Sequence, residues 1–253
     1  MKDLEIYNDT KDLMTALAKL ICEVSKEAIA ERGEFNFVLS GGSSPRRLYK
    51  LLASNSFKDQ IDWDKTYFFF GDERNVPKHD PKRNSVMAEE TLFRPLKIQE
   101  SHIFEVNTSG SPEDAAENYM KSIATHFKKK PIIFDFVLLG LGDDAHTASL
   151  FPYSAILGET SATVKSVFVK EAHMYRITMT APLINQARHV AFLVFGEEKS
   201  EAVHHVFNEP KTSTEQYPAK LIHPKKGTLH WYLDTKAFKI IEQKDLSLNF
   251  KKI

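Results

Sequence analysis

FNFVLSGGSSPRRLYKLL, residues 35 to 52, is the stretch whose reading decides the fold. Phe35 to Ser40 is a short apolar run of β-prone residues, and Gly41-Gly42 breaks it. Arg46 to Leu52 then resumes helical character, with Ser44 placed to cap and Pro45 at the first helical position. A strand this apolar has no solvated face, so it belongs in a sheet covered on both sides. A strand, a glycine turn and a helix in immediate succession is the repeating unit of a parallel α/β sheet.

The alternation continues on either side. Leu13, Leu17, Leu20, Ile21, Val24 and Ala28 recur at helical spacing after Asn8, Asp9 or Thr10, so residues 10 to 31 read as an amphipathic helix. Downstream come a strand at Lys65 to Phe70, helices at Asn84 to Phe93 and Pro112 to Phe127, and a strand at Phe134 to Leu139. Further strands follow at Ser166 to Lys170, Arg176 to Thr180 and His189 to Phe195, then a helix at Glu197 to Phe207 and a strand at Thr228 to Leu233. The fold expected is α/β: a doubly wound, Rossmann-like, largely parallel sheet with helices on both faces, as one domain over residues 1 to 253.

Composition narrows the function. The 253 residues carry 34 basic and 34 acidic side chains, so no global field draws the chain to nucleic acid or to an anionic membrane. An anion has to be caught locally. Cys22, the one cysteine, falls in the apolar stripe of the first helix and cannot form an internal disulfide, which suits a reducing compartment. No apolar run reaches the roughly 20 residues of a membrane span, and the N-terminus lacks a signal core; the expectation is a cytoplasmic protein. The short basic run Lys128 to Lys130 reads as the solvated end of a helix.

In an open α/β sheet ligands gather beyond the carboxyl ends of the strands, and three loops there are unusual. The first is Ser40-Gly41-Gly42-Ser43-Ser44, whose backbone amides and following helix suit a phosphate. It has neither the dinucleotide glycine fingerprint nor the Walker lysine. The second, Gly71-Asp72-Glu73-Arg74, puts three charges directly after a buried strand, with Asn84 further on. Three such charges cannot all be core, and the arginine suits a planar grip on phosphate or carboxylate. The third, FDFVLLGLGDDAHTASLFP at residues 134 to 152, brings Asp143, Asp144, His146, Thr147 and Ser149 together after a Gly140-Leu141-Gly142 turn. His146 is the natural group to take a proton from water near neutral pH. Ser149 lacks a nucleophile elbow, and His204-His205 point about 100° apart on a helix, so neither a serine nucleophile nor a metal is expected. Arg176 and Lys199 sit at element ends from which each could reach a common pocket.

Taken in order, LSGGSSPRRLYKLL, FFFGDERNVPKHDPKRNSVMAEETLF, the His146 block, RITMTAPLINQARHVAFLVFGEEKSEAV and YPAKLIHPKKGTLHWYLDTKAF resemble the 6-phosphogluconolactonase family, within the larger glucosamine/galactosamine-6-phosphate isomerase superfamily. The resemblance spans residues 39 to 238. It implies a cofactor-independent hydrolysis of 6-phospho-D-glucono-1,5-lactone to 6-phosphogluconate, a step of the oxidative pentose phosphate pathway. Gly41, Gly42, Ser43 and Ser44 would hold the substrate phosphate with Arg74, Arg176 and Lys199, and Asp72 would lie at the substrate site. Asp144 and His146 would act at the carbonyl, His146 as base, and Asp144 either orienting the imidazole or holding the sugar. The partner is thus a small phosphorylated sugar lactone, with no nucleic acid and no membrane, for a monomer or weak homodimer. One position departs from the family: it usually has glycine where this chain has Ala145, and a positive φ there would cost alanine roughly 1 kcal/mol.

Two alternatives stand beside this reading. One is an amino-sugar phosphate isomerase or deaminase with Asp72 as base. That group follows its histidine with Asn-Glu-Pro, where this chain has Ser149-Leu150-Phe151-Pro152, and tends to have tyrosine in place of Arg74. The other is a sugar-phosphate sensor that binds without turnover.

Overall fold

The computed structural model describes residues 2–128, 130–170, 172–208, 213–244 and 251–253. Among the described residues ten strands and eight α-helices follow one another along the chain. They begin β1 (Lys2–Tyr7), α1 (Thr10–Arg32), β2 (Phe35–Leu39), α2 (Ser43–Leu52), β3 (Thr66–Phe70) and β4 (Asp72–Arg74). Next come α3 (Asn84–Ala88), α4 (Arg94–Leu96), α5 (Pro112–His126), β5 (Phe136–Leu139), β6 (Val164–Val169) and β7 (Met174–Met179). The chain closes with α6 (Ala181–Ile184), β8 (His189–Val194), α7 (Ser200–Asn208), β9 (Thr228–Asp234), α8 (Thr235–Lys244) and β10 (Lys251–Lys252). A π-helical turn, Glu89–Phe93, joins α3 to α4.

Seven strands form one sheet in the order β10-β1-β9-β8-β5-β2-β3, every neighbouring pair parallel. The side-chain period of two explains why β2 reads as continuously apolar. Phe35, Phe37 and Leu39 pack into the core on one face, with Leu13, Leu17 and Leu48. Val38 points to the other, with Phe69, Val137 and Trp231. Each face is covered by helices, so the apolar strand positions find apolar partners, while Asn36 of β2 is held by His126 and Glu34. After β2 the chain steps outward to β3, and it later returns to place β5 on β2's other side. This reversal is the switch point, and it opens a crevice between the loops that follow β2 and β5.

Local chemistry accounts for most element ends. Asp9 caps α1 by accepting from the Asp12 amide at 2.8 Å, and Gly33 ends the helix at φ 82°. Ser111 caps α5, with Pro112 at its first position.

Several expectations need correction. Val164–Val169 and Met174–Met179 do not join the parallel sheet; with Asp72–Arg74 they form a separate antiparallel sheet, β4-β7-β6. The Asp72–Arg74 segment is therefore a strand and not a loop. Helix α2 starts at Ser43 with Gly42 as its cap, so Ser44 does not cap it. Periodicity also misses β1 and α8: in β1 only Leu4 and Ile6 carry the apolar alternation before Tyr7. Of the run Lys128 to Lys130, Lys129 lies outside the described residues. No helix among the described residues is long and apolar enough to cross a membrane.

Candidate active site

The loop after β2 is clamped from below. Tyr49, buried on α2, donates its hydroxyl to the Ser40 carbonyl at 2.8 Å and accepts from the Ser40 amide at 2.9 Å. Gly41 is required by close approach: a Cβ there would overlap the Asn84 side-chain amide. With Gly42 as the cap, no side chain takes the first amides of α2, which leaves them for a ligand.

Asn84 ties this loop to the next. Its amide donates to the Asp72 carbonyl at 2.8 Å and to Asp72 Oδ1 at 3.2 Å, while its Oδ1 accepts from the Arg74 guanidinium. Asp72 Oδ2 accepts from Ser149 Oγ at 2.6 Å and faces Arg176 Nη1 at 3.4 Å. The Ser149 hydroxyl is thus a structural donor. Glu73, one of three charges that the sequence reading takes not all to be core, is fully buried. Burial pushes its carboxyl pKa up, against the pull of the Asn84, Ser85 and Arg74 amides and of the buried Arg83 guanidinium.

The antiparallel sheet sets Arg74 directly opposite Arg176 in the β4·β7 register. Like charges so placed repel, and an anion between them removes the penalty. Burial lowers the Arg176 pKa; Asp72 opposes the shift and Arg74 adds to it. A cavity of about 360 Å³ opens here. Of the expected residues, Gly42, Ser43, Arg74 and Arg176 line it, joined by Arg46, Lys82 and Met174, which the sequence reading does not single out. Gly41, Ser44, Asp72, Asp144, His146 and Lys199 are not in its wall. Lys199 instead pairs with Asp143 at 2.6 Å.

The loop after β5 is folded tightly on itself. The Gly142 amide donates to the His146 carbonyl at 2.8 Å, the Ala145 amide to the Gly142 carbonyl at 3.0 Å, and Thr147 Oγ1 to the Gly140 carbonyl at 2.8 Å. Gly142 lies so near the His146 ring that a Cβ would collide with it. Ala145 does take a positive φ, 61°, and its buried methyl packs in the core beneath the loop. Ala148 and Tyr153 are also left-handed, at 49° and 58°. Backbone strain is thereby concentrated around the histidine.

His146 Nδ1 lies 2.5 Å from Asp144 Oδ1. Burial raises the Asp144 pKa, but the hydrogen bond and charge of His146 outweigh it, and the carboxyl sits below its usual range. An ionised carboxylate only accepts, so Nδ1 carries the proton of this hydrogen bond. Of the two roles open to Asp144, the geometry supports orienting the imidazole. The His146 ring stacks on Phe151 at 4.1 Å between centroids, and the Arg176 guanidinium carbon lies 5.8 Å from the centre of that same ring. Phe151 thus joins the histidine to the cationic cavity. Its only sequence signal is its place in the apolar turn after the histidine.

A family model described as glucosamine-6-phosphate isomerases/6-phosphogluconolactonase matches residues 8–231. The chain belongs to this family. A 6-phosphogluconolactonase of Synechocystis sp. is 40% identical over 226 residues, covering 86% of this chain and 90% of that protein. One of Nostoc sp. is 37% identical over 240 residues, covering 93% and 97%. The structure of 6-phosphogluconolactonase from Trypanosoma cruzi matches with a TM-score of 0.82 at 28% identity, over 97% of each chain. The glucosamine-6-phosphate isomerase/6-phosphogluconolactonase family name joins two chemistries, and the side chains at the carboxyl edge of the sheet have to distinguish them.

Proposed function

We propose that this chain, as one domain over residues 1 to 253, hydrolyses 6-phospho-D-glucono-1,5-lactone to 6-phosphogluconate. The observation that carries the reading is the Asp144–His146 pair, its Nε2 uncommitted, joined through Phe151 to a cavity where two arginines face each other. The phosphate occupies the space between the Gly41 to Ser44 loop, Arg74 and Arg176, and Lys199 exchanges Asp143 for it. Binding energy from this remote group orients the lactone carbonyl. His146 Nε2 takes a proton from water as the water oxygen bonds to C1. Backbone amides or a cationic side chain of the wall stabilise the developing oxyanion. The C1–O5 bond then breaks, and His146 returns the proton to O5. Asp144 accepts from Nδ1–H throughout, orienting the imidazole before the proton transfer and stabilising the imidazolium after it.

The isomerase or deaminase alternative asks Asp72 to move a substrate proton. Both of its oxygens are already engaged, by Asn84, Ser149 and Arg176, and it is 6% exposed. It serves better as the anchor of Arg176. The same reading places the enzyme in the cytoplasm, supported by the lone Cys22, buried and with its thiol pushed up to about 11 by burial.

The test is hydrolysis of freshly generated lactone against the spontaneous rate. Wild type should exceed background, and His146→Ala should lose about 10³-fold or more of that excess. A wild-type rate equal to background sinks the proposal and favours a binding protein without turnover.

A further inference from the structure

Phe151 is in contact with both halves of the site. Its ring stacks on His146 with an interplanar angle of 27°, and the Arg176 guanidinium lies over it. Each half sets a carboxylate against a nitrogen donor: Asp144 against His146 Nδ1, and Asp72 against Arg176. Nothing in charge alone keeps these pairs from exchanging partners. Arg176 is held loosely, since its ion pair with Asp72 is 3.4 Å long and its buried Nε has no hydrogen-bond partner. Asp144, half-exposed on the strained loop, is a better acceptor for such a guanidinium than the already shared Asp72. An Arg176–Asp144 pair would strip the base of its orienting carboxylate and pull a cation out of the cavity wall at once.

Resting on the lactonase reading above, we infer that Phe151 is a positioning residue: its ring holds the His146 imidazole in place and keeps Arg176 from pairing with Asp144. An aromatic ring suits this task because it stacks with imidazole and attracts guanidinium through the same face chemistry, yet accepts no hydrogen bond strong enough to compete with either carboxylate. The reaction therefore depends on a side chain with no acid, base or nucleophile.

Steady-state kinetics on Phe151→Ala, Phe151→Leu and Phe151→Tyr, alone and combined with Asp144→Asn, test this. Phe151→Ala should lower kcat by about tenfold, because a displaced base loses near-attack geometry. Phe151→Tyr, which keeps the ring, should stay within about twofold of wild type. In the Asp144→Asn background the same Phe151→Ala change should cost clearly less than in wild type, since Arg176 has lost its alternative carboxylate and only the lost stacking remains. A loss of equal size in both backgrounds, or an unchanged kcat in Phe151→Ala, overturns the inference. If the alanine variant does not fold, Phe151→Leu, of similar bulk but without a ring, takes its place under the same criteria. Nitrogen chemical shifts of His146 supply a readout independent of turnover: one Nδ1–H tautomer in wild type and a mixture in Phe151→Ala. An unchanged tautomer in the variant also overturns it. A wild type without lactonase activity would instead count against the reading on which the inference rests, while the tautomer measurement still decides the role of Phe151.

Discussion

Histidines stand at both ends of the parallel sheet, and the two ends treat them oppositely. At the carboxyl end, His146 sits on a strained loop, hydrogen-bonded to an ionised carboxylate and open to the crevice. At the amino end, His189 opens β8 and His230 lies early in β9, their ring nitrogens 3.1 Å apart and Phe136 stacked on His189. Burial lowers both of these pKa values, that of His230 to about 4, and its nearest carboxylate, Asp3 at 3.6 Å, is too distant to reverse the effect. The same side chain has a hydrogen-bonded carboxylate and access to the crevice at one end, and at the other is a packed ring whose burial outweighs its distant carboxylate. Strand direction decides which end is which, because the loops with room to converge are those at the switch point.

Three experiments would break or sharpen that contrast. Asp144→Asn should have the largest effect, about 10²-fold or more in kcat, since an amide can present N–H to Nδ1 and favour the wrong tautomer. His230→Gln, in the same assay, should leave turnover unchanged; a comparable loss there would erase the distinction between the two ends. The second concerns acid stability. Above pH 6.5 the amino-end histidines are neutral in both folded and unfolded chains and contribute nothing to the pH dependence. Below it the unfolded chain binds protons that the folded chain refuses, so stability falls as pH drops from 6.5 towards the folded value of about 4. For His230 the loss is on the order of 2 to 3 kcal/mol. Thermal unfolding between pH 7.5 and 5 should show Tm falling more steeply in wild type than in His230→Gln; parallel slopes would mean that the pair is not the cause. The smallest effect is expected of Ala145→Gly. Relief of the left-handed strain is worth roughly 1 kcal/mol, and the lost buried methyl together with the looser unfolded chain takes back a similar amount. Calorimetry should find the two within about 0.5 kcal/mol, and a larger fall would show that the methyl packing under the loop dominates.

The parallel strands were legible because both their faces are buried, which leaves β5 wholly apolar and β2, β3 and β8 apolar but for Asn36, Thr66 and His189. The glycine turns were legible because Asn84 and His146 approach too closely for any side chain at Gly41 and Gly142. Glu73 was not. A carboxylate after a strand reads as solvated, and the amides of Asn84 and Ser85 and the Arg83 guanidinium that help to offset its burial come ten or more positions on. Phe151 was hidden for a similar reason, since an apolar residue in an apolar turn carries no mark of the histidine it stacks on.

By itself the sequence determined what depends on near neighbours: most strand and helix periods, the glycine turn after β2, and a histidine among carboxylates and hydroxyls. The tertiary structure alone decided what depends on distant pairing. It set Arg74 opposite Arg176 in a separate antiparallel sheet, spent Asp72 on Ser149 and Arg176, turned Asp144 onto His146, and committed Lys199 to Asp143. Local spacing constrains backbone conformation strongly, whereas the partner a side chain takes is chosen by which strands and loops the whole chain brings to one edge of the sheet.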